Sequence, residues 1–133
     1  MPPDELVHII AAADAAIEAE DFDALMTFYA DGATLVIEPG RHVSGHEAIR
    51  QAFKGIAEHF GHTLRISQED MLVLEGAGTA LVLAKTRVRA TLKNGEPYDV
   101  LRRATYVFRK DGSGSWRCSI DNSYGTELLF GST

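Results

Sequence analysis

The feature that most constrains this chain is a change of hydrophobic period near Gly61. Before it, apolar residues recur every three or four positions, as on one face of a helix. After it come four long strand-like runs, at about 63–74, 79–92, 98–109 and 115–127. Their separators are turn chemistry: Glu75-Gly76-Ala77-Gly78, Lys93-Asn94-Gly95-Glu96 and Asp111-Gly112-Ser113-Gly114. Asn94-Gly95 predicts a tight hairpin, because both central positions of a type I′ turn need positive φ. Helices first and a sheet after predict an α+β fold, with helices packed on one face of a curved antiparallel sheet. The 133 residues fit one domain spanning 1–133. A chain of this size buries about two-thirds of its unfolded surface, so it needs no disulfide or metal to fold.

The first 60 residues divide further. Leu6, Ile9, Ile10, Ala13, Ala16 and Ile17 predict a helix over 4–20, opened by Pro3 or Asp4. Asp21 is placed to cap a second short helix in which Phe22, Leu25, Met26 and Tyr29 face inward. Asp31-Gly32 reads as a stop, Ala33 to Glu38 as a strand, and Pro39-Gly40 as its end. A third helix starts at Ser44 or Gly45 and carries Ala48, Ile49, Ala52, Phe53, Ile56 and Phe60 on its apolar stripe.

Charge and cysteine content narrow the function classes. Thirteen Lys and Arg stand against 19 Asp and Glu, a net charge of −6. The acids crowd residues 1–31, whereas Lys85, Arg87, Arg89, Lys93, Arg102, Arg103, Arg109, Lys110 and Arg117 lie in the predicted sheet. An acidic chain without an aromatic-interleaved basic motif argues against a nucleic-acid partner. No apolar run approaches the roughly 18 residues of a membrane span. The single cysteine, Cys118, excludes an internal disulfide and fits a reducing compartment, and the acidic start Met1-Pro2-Pro3-Asp4-Glu5 lacks a signal peptide's basic region. A cytoplasmic protein is expected. Cys118 itself reads as a buried, inert thiol inside the sheet. His42 and His46, like His59 and His62, have ligand-like spacing, but they flank opposite ends of one helix, so no metal site is expected.

Three segments carry a resemblance: Ala19-Glu20-Asp21-Phe22-Asp23-Ala24-Leu25, Phe28-Tyr29-Ala30-Asp31-Gly32-Ala33-Thr34-Leu35, and Ser44-Gly45-His46-Glu47-Ala48-Ile49-Arg50. With Phe108-Arg109-Lys110-Asp111-Gly112 and Trp116, they resemble the nuclear-transport-factor-2-like superfamily, within it the SnoaL-like and ketosteroid-isomerase-like proteins. The resemblance implies a cone-shaped barrel, its curved sheet wrapped around helices with a pocket at the wide end. It also implies a homodimer formed through the sheet. It does not fix an activity, since this scaffold carries isomerases, cyclases, dehydratases and non-catalytic binders. Set against the steroid isomerases, Ala13 stands where an oxyanion tyrosine is expected, Glu38 falls near the base position, and Tyr106 replaces the second, acidic donor. That pattern argues against steroid isomerisation itself.

The candidate site residues follow from strand alternation. Thr34, Val36 and Glu38 share one face, which makes Glu38 a candidate general base at a pocket mouth, with His42 beside it as a rim group. On the last strand Trp116, Cys118, Ile120, Asn122 and Tyr124 alternate with Arg117, Ser119, Asp121 and Ser123. If Trp116 points inward, Asn122 and Tyr124 accompany it, and Asp121 faces out unless a bulge re-aims it. SnoaL-like cyclases use a late-strand Asp as base, so the resemblance keeps Asp121 as a second catalytic candidate. On the preceding strand Tyr98, Arg102 and Tyr106 share a face, and the Arg102-Arg103 pair directs one guanidinium inward in either register. Tyr29, His42, Arg102, Tyr106, Trp116, Asn122 and Tyr124 therefore form the expected ligand-binding set. The expected chemistry is proton abstraction next to a carbonyl, followed by isomerisation, cyclisation or dehydration, with no cofactor required. The alternative is a non-catalytic module that holds a small ligand in the same cavity.

Overall fold

The computed structural model describes residues 4–130. Three α-helices, α1 (Asp4–Ala19), α2 (Phe22–Met26) and α3 (His46–His59), accompany six strands: β1 (Tyr29–Glu38), β2 (Arg41–Ser44), β3 (Arg65–Gly76), β4 (Thr79–Thr91), β5 (Pro97–Lys110) and β6 (Trp116–Asn122). A 3-10 turn at Gly125–Leu129 follows. The strands form one curved sheet in the order β2-β1-β6-β5-β4-β3, and the fold is α+β. Every pairing is antiparallel except that of β1 with β6, which is parallel and closes the early strand onto the late meander.

The helices form where the sequence predicts, except that α2 ends at Met26, so Tyr29, expected on its inward face, opens β1 instead. Asp21 caps α2, accepting a bond from the Ala24 amide at 3.2 Å, and Pro3 lies outside the described residues. The inward faces of α1, α2 and α3 meet the concave side of the sheet. Leu6, Ile10, Leu25, Ile49, Val82 and Phe108 are completely buried between them. Each contributes roughly 1.5–3 kcal/mol of burial. Phe28, Tyr29, Tyr106 and Phe108 add edge-on and tilted ring contacts, with Phe28 5.0 Å from Tyr29 and 5.6 Å from Phe108. Cys118 is buried in this core, as expected.

Several boundaries differ from the sequence expectation. Asp31-Gly32 does not stop the strand: β1 starts earlier, at Tyr29, and passes through Gly32 with φ +72°. Its register against β6 slips between Tyr29 and Thr34, so a glycine inside a strand marks an irregularity there rather than an end. The short edge strand β2 was not expected, because its four mainly exposed residues carry no apolar signal. The β4–β5 connection is a five-residue loop rather than a two-residue turn: Thr91 still pairs with Pro97, and the Leu92 amide donates to the Glu96 carbonyl. Finally, β6 ends at Asn122 instead of near 127.

Candidate active site

The concave side encloses a cavity of about 160 Å³. This is the scale of an apolar cavity that takes up benzene, about 150 Å³. Its walls are mostly aliphatic and aromatic, with Ile10, Ile17, Leu35, Phe53, Ile56 and Val88 among them. Into this apolar space project the carboxyls of Asp14 and Asp121, the phenols of Tyr29, Tyr106, Tyr98 and Tyr124, and the guanidinium of Arg102.

Asp121 arrives there because β6 is not regular. Phe108 pairs with Cys118 and the adjacent Val107 with Ile120, so Ser119 is an extra residue bulged out of the ladder. The extra residue reverses the alternation. Trp116 and Cys118 are buried on one side of the bulge, and beyond it Asp121 is buried at 7% exposure while Ile120 faces out. The Tyr29 hydroxyl donates to Asp121 Oδ2 at 2.6 Å. Burial pushes the Asp121 carboxyl up to about 6, and the Tyr29 bond opposes that shift. The same surroundings hold the Tyr29 phenol well above its ordinary value, through burial first and the neighbouring Asp121 charge second. Tyr106 is the register partner of Asp121 on β5, and burial with the charges of Asp121 and Asp14 likewise keeps its phenol protonated.

Asp14 comes from α1. Its Oδ2 accepts from Gln68 Nε2 at 2.9 Å, and Gln68 Oε1 accepts from Thr86 Oγ1 at 2.7 Å. One turn later, Glu18 Oε2 accepts from the Ile66 amide at 2.8 Å, so two bonds to β3 fix this face of α1. Burial raises the Asp14 carboxyl to about 7; the Gln68 bond lowers it, and the charges of Asp121 and Glu18 raise it further. Two carboxyls thus share one apolar cavity, both with proton affinities near neutrality. Burial of this kind is one way a carboxyl is tuned toward neutrality.

Arg102 settles the β5 register: it lines the cavity, while Arg103 is exposed on the outer face. Arg102 Nη2 donates to the Tyr98 hydroxyl at 2.8 Å, and its guanidinium carbon lies 4.4 Å from the centre of the Tyr124 ring.

Of the residues expected at the site, the structure brings Tyr29, Arg102, Tyr106, Asp121 and Tyr124 together around the cavity. Four others lie elsewhere. Glu38 is more than half exposed and pairs with Arg41 at 3.3 Å: β1 lines the cavity as far as Ile37, and the next side chain turns to solvent beside Pro39. His42 is exposed on the edge strand β2. Trp116 is buried on the far side of the bulge, where it lines a separate cleft with residues of α1, Ala24 and Phe28, and Lys110 lies over its ring. Asn122 is turned away from the cavity by the bulge and organises the chain reversal instead. It accepts from the Tyr124 amide at 3.0 Å and donates to the Gly125 carbonyl at 3.2 Å. The reversal also needs Gly125, at φ +55°, where a Cβ would stand 2.5 Å from the Arg103 carbonyl oxygen. His46 bonds the Tyr29 carbonyl at 3.0 Å and His62 bonds Glu20 at 2.9 Å. Asp14 and Gln68 were not anticipated. The sequence does contain a signal for Asp14: it sits four residues after Ile10 and three before Ile17, an acid interrupting an apolar stripe.

A family model described as SnoaL-like domain matches residues 10–117. The chain belongs to the SnoaL-like domain family. The matched stretch contains Asp14, Tyr29, Arg102 and Tyr106 and ends before Asp121. Among solved structures this SnoaL-like domain is similar to Aln2 from a Streptomyces species, at TM-score 0.79 and 19% identity over 94% of this chain and 90% of that one. It is similar to a ketosteroid isomerase-like protein from Erwinia carotovora atroseptica, at TM-score 0.73 and 22% identity over 89% and 91%. The association domain of C. elegans CaMKII is a third, at TM-score 0.69 and 21% identity over 89% and 91%. At these identities the likeness shows the fold. No curated protein matches the sequence.

Proposed function

We propose that this SnoaL-like domain catalyses proton transfer at a carbon next to a carbonyl, with Asp121 as general base. The observation that carries this reading is the buried Asp121 carboxyl, bonded to Tyr29, in one apolar cavity with Asp14 and Tyr106. Near neutral pH a carboxyl titrating at about 6 is mostly ionised, so it accepts a proton with little mismatch in affinity. Asp14, at about 7, keeps a substantial neutral fraction. A carboxylic acid held neutral by apolar surroundings donates a hydrogen bond, and the protonated Tyr106 phenol does the same.

The step balances without a cofactor. The C–H bond breaks, its proton passes to Asp121, and the electron pair moves onto the carbonyl oxygen, which accepts bonds from Tyr106 and neutral Asp14. Return of the proton to another carbon gives isomerisation. Expulsion of a hydroxyl, protonated by Asp14, gives dehydration. The base in this reading is Asp121 rather than Glu38.

Solvent exchange tests it without knowledge of the product. A panel of small ketones and keto acids is incubated with the protein in D2O, and deuterium incorporation beside the carbonyl is followed by proton NMR. The expected result is catalysed exchange that rises with pH through about 6, and that falls by about 10²–10⁴-fold in Asp121→Asn. Exchange by no member of the panel, with ligands still bound, would instead mark a non-catalytic binding module.

The outer face of the sheet supports a second element of the proposal, self-association. Leu72, Leu74, Leu83, Leu101 and Ile120 are exposed there. Leu74, Leu81, Val107 and Ile120 stand in one cross-strand row, with Leu72 and Leu83 paired beside them. A contiguous apolar face on an antiparallel sheet fits a second copy of the same chain, and one neighbour in fold is an association domain.

A further inference from the structure

We propose that the substrate carries a carboxylate, held by Arg102 at the end of the cavity away from the reacting carbon. This deepens the proton-transfer reading and rests on it for the second half of the geometry. Arg102 differs from the paired arginines of the chain. Arg41, Arg50, Arg87, Arg89 and Arg117 each lie within ion-pair distance of an Asp or Glu. Arg102 is half-buried, faces an apolar cavity, and has no carboxylate partner among the described residues.

A guanidinium withdrawn from water is costly unless its charge and its N–H groups are met. Here the Tyr98 hydroxyl meets one N–H and the Tyr124 ring lies against the cation's face. The fork has five N–H donors in all, and two parallel ones match a carboxylate. The Tyr98–Arg102–Tyr124 cluster therefore holds the cation in place while leaving donors for an anion from outside the protein.

Position separates this anchor from the chemistry. Arg102 and Tyr106 are four residues apart on the inward face of β5, and Tyr106 is the register partner of Asp121. Four residues of strand span about 13 Å. A substrate anion is repelled by the Asp121 carboxylate and attracted by Arg102, so one orientation is favoured. The carboxylate lies at Tyr98 and Tyr124, an apolar body fills the middle, and the carbonyl reaches Asp121. The substrate class is a small apolar, single-ring-sized keto acid.

Binding rather than turnover tests the anchor. Phenylacetate and phenylacetamide have the same size and differ in charge, and each is titrated calorimetrically into the wild type and into Arg102→Gln, Arg102→Lys and Asp121→Asn. The wild type is expected to favour the acid over the amide by about tenfold or more, the scale of a charge-assisted hydrogen bond. Arg102→Gln loses that preference, Arg102→Lys keeps part of it, and Asp121→Asn retains or enlarges it. Equal affinities in the wild type, a preference unchanged in Arg102→Gln, or no heat from either compound overturns the anchor. The two readings fail separately. Acid preference in a protein that exchanges no C–H proton upholds the anchor and rejects proton transfer, whereas equal binding with Asp121-dependent exchange does the reverse.

Discussion

Removing a single hydroxyl distinguishes what burial and hydrogen bonding each do to Asp121. The Tyr29 bond lowers the Asp121 proton affinity while burial raises it. Tyr29→Phe deletes the bond and keeps the burial, so the Asp121 pKa moves further up and the acid limb of the pH–rate profile shifts to higher pH. An unshifted limb would mean that Tyr29 does not tune the base. The two cavity acids also set the pH dependence of stability. Asp14 and Asp121 are raised from 3.8 to about 7 and about 6, so the folded state holds their protons where the unfolded chain has lost them. That stabilisation is complete below about pH 4 and is lost as pH rises through 6 and 7, a change on the order of a few kcal/mol. Asp111, held low mainly by its bonds from Ser113 and Arg117, acts oppositely and loses stability only in strong acid. Melting temperature should therefore fall between pH 5 and 8 in the wild type and flatten in Asp14→Asn with Asp121→Asn. A steady rise over that range contradicts the assignment. At this scale the sequence was partly legible. Tyr106 and Arg102 follow from alternation, whereas Tyr29, expected on a helix face, reaches the cavity from β1; one bulged serine exchanges Asp121 for Asn122, and nothing in the residue types announces a bulge.

The elements follow from local physics wherever one period dominates. The amphipathic α1 and α3 and the long strands β3 to β5 are all readable within a few residues. Misreadings fall where tertiary pairing overrides a local signal: Asp31-Gly32 inside β1, the polar edge strand β2, and the early end of β6. The α1 helix shows how an element positions the site. Glu18 accepts the Ile66 amide and Asp14 accepts Gln68, one turn apart, so the first bond holds the second in place. Glu18→Ala strands that amide, and a stability loss of about 1–3 kcal/mol is expected. Glu18→Gln keeps an acceptor and should recover most of it. Chemical denaturation of the pair checks the claim, and equal losses in both variants contradict it.

For the molecule as a whole, no helix among the described residues is long and apolar enough to cross a membrane, and the large exposed apolar side chains gather on the outer sheet face and in the 3-10 turn. If that face buries itself against a second copy, wild-type protein sediments as a dimer and Leu72→Asp with Leu83→Asp sediments as a monomer of the same fold. A monomeric wild type at micromolar concentration rejects self-association without touching the cavity. Fold and family were legible across nearly the whole chain because they rest on many residues. The site was less so, because it rests on five or six side chains brought together from α1, β1, β5 and β6. Carbon-13 NMR titration of the aspartate carboxyls, assigned with Asp14→Asn and Asp121→Asn, reads their protonation directly. Two aspartates titrating near 6 and 7 are expected. If both titrate at or below their ordinary value of 3.8, the cavity holds no base poised for proton transfer, and Asp121 is rejected as the base.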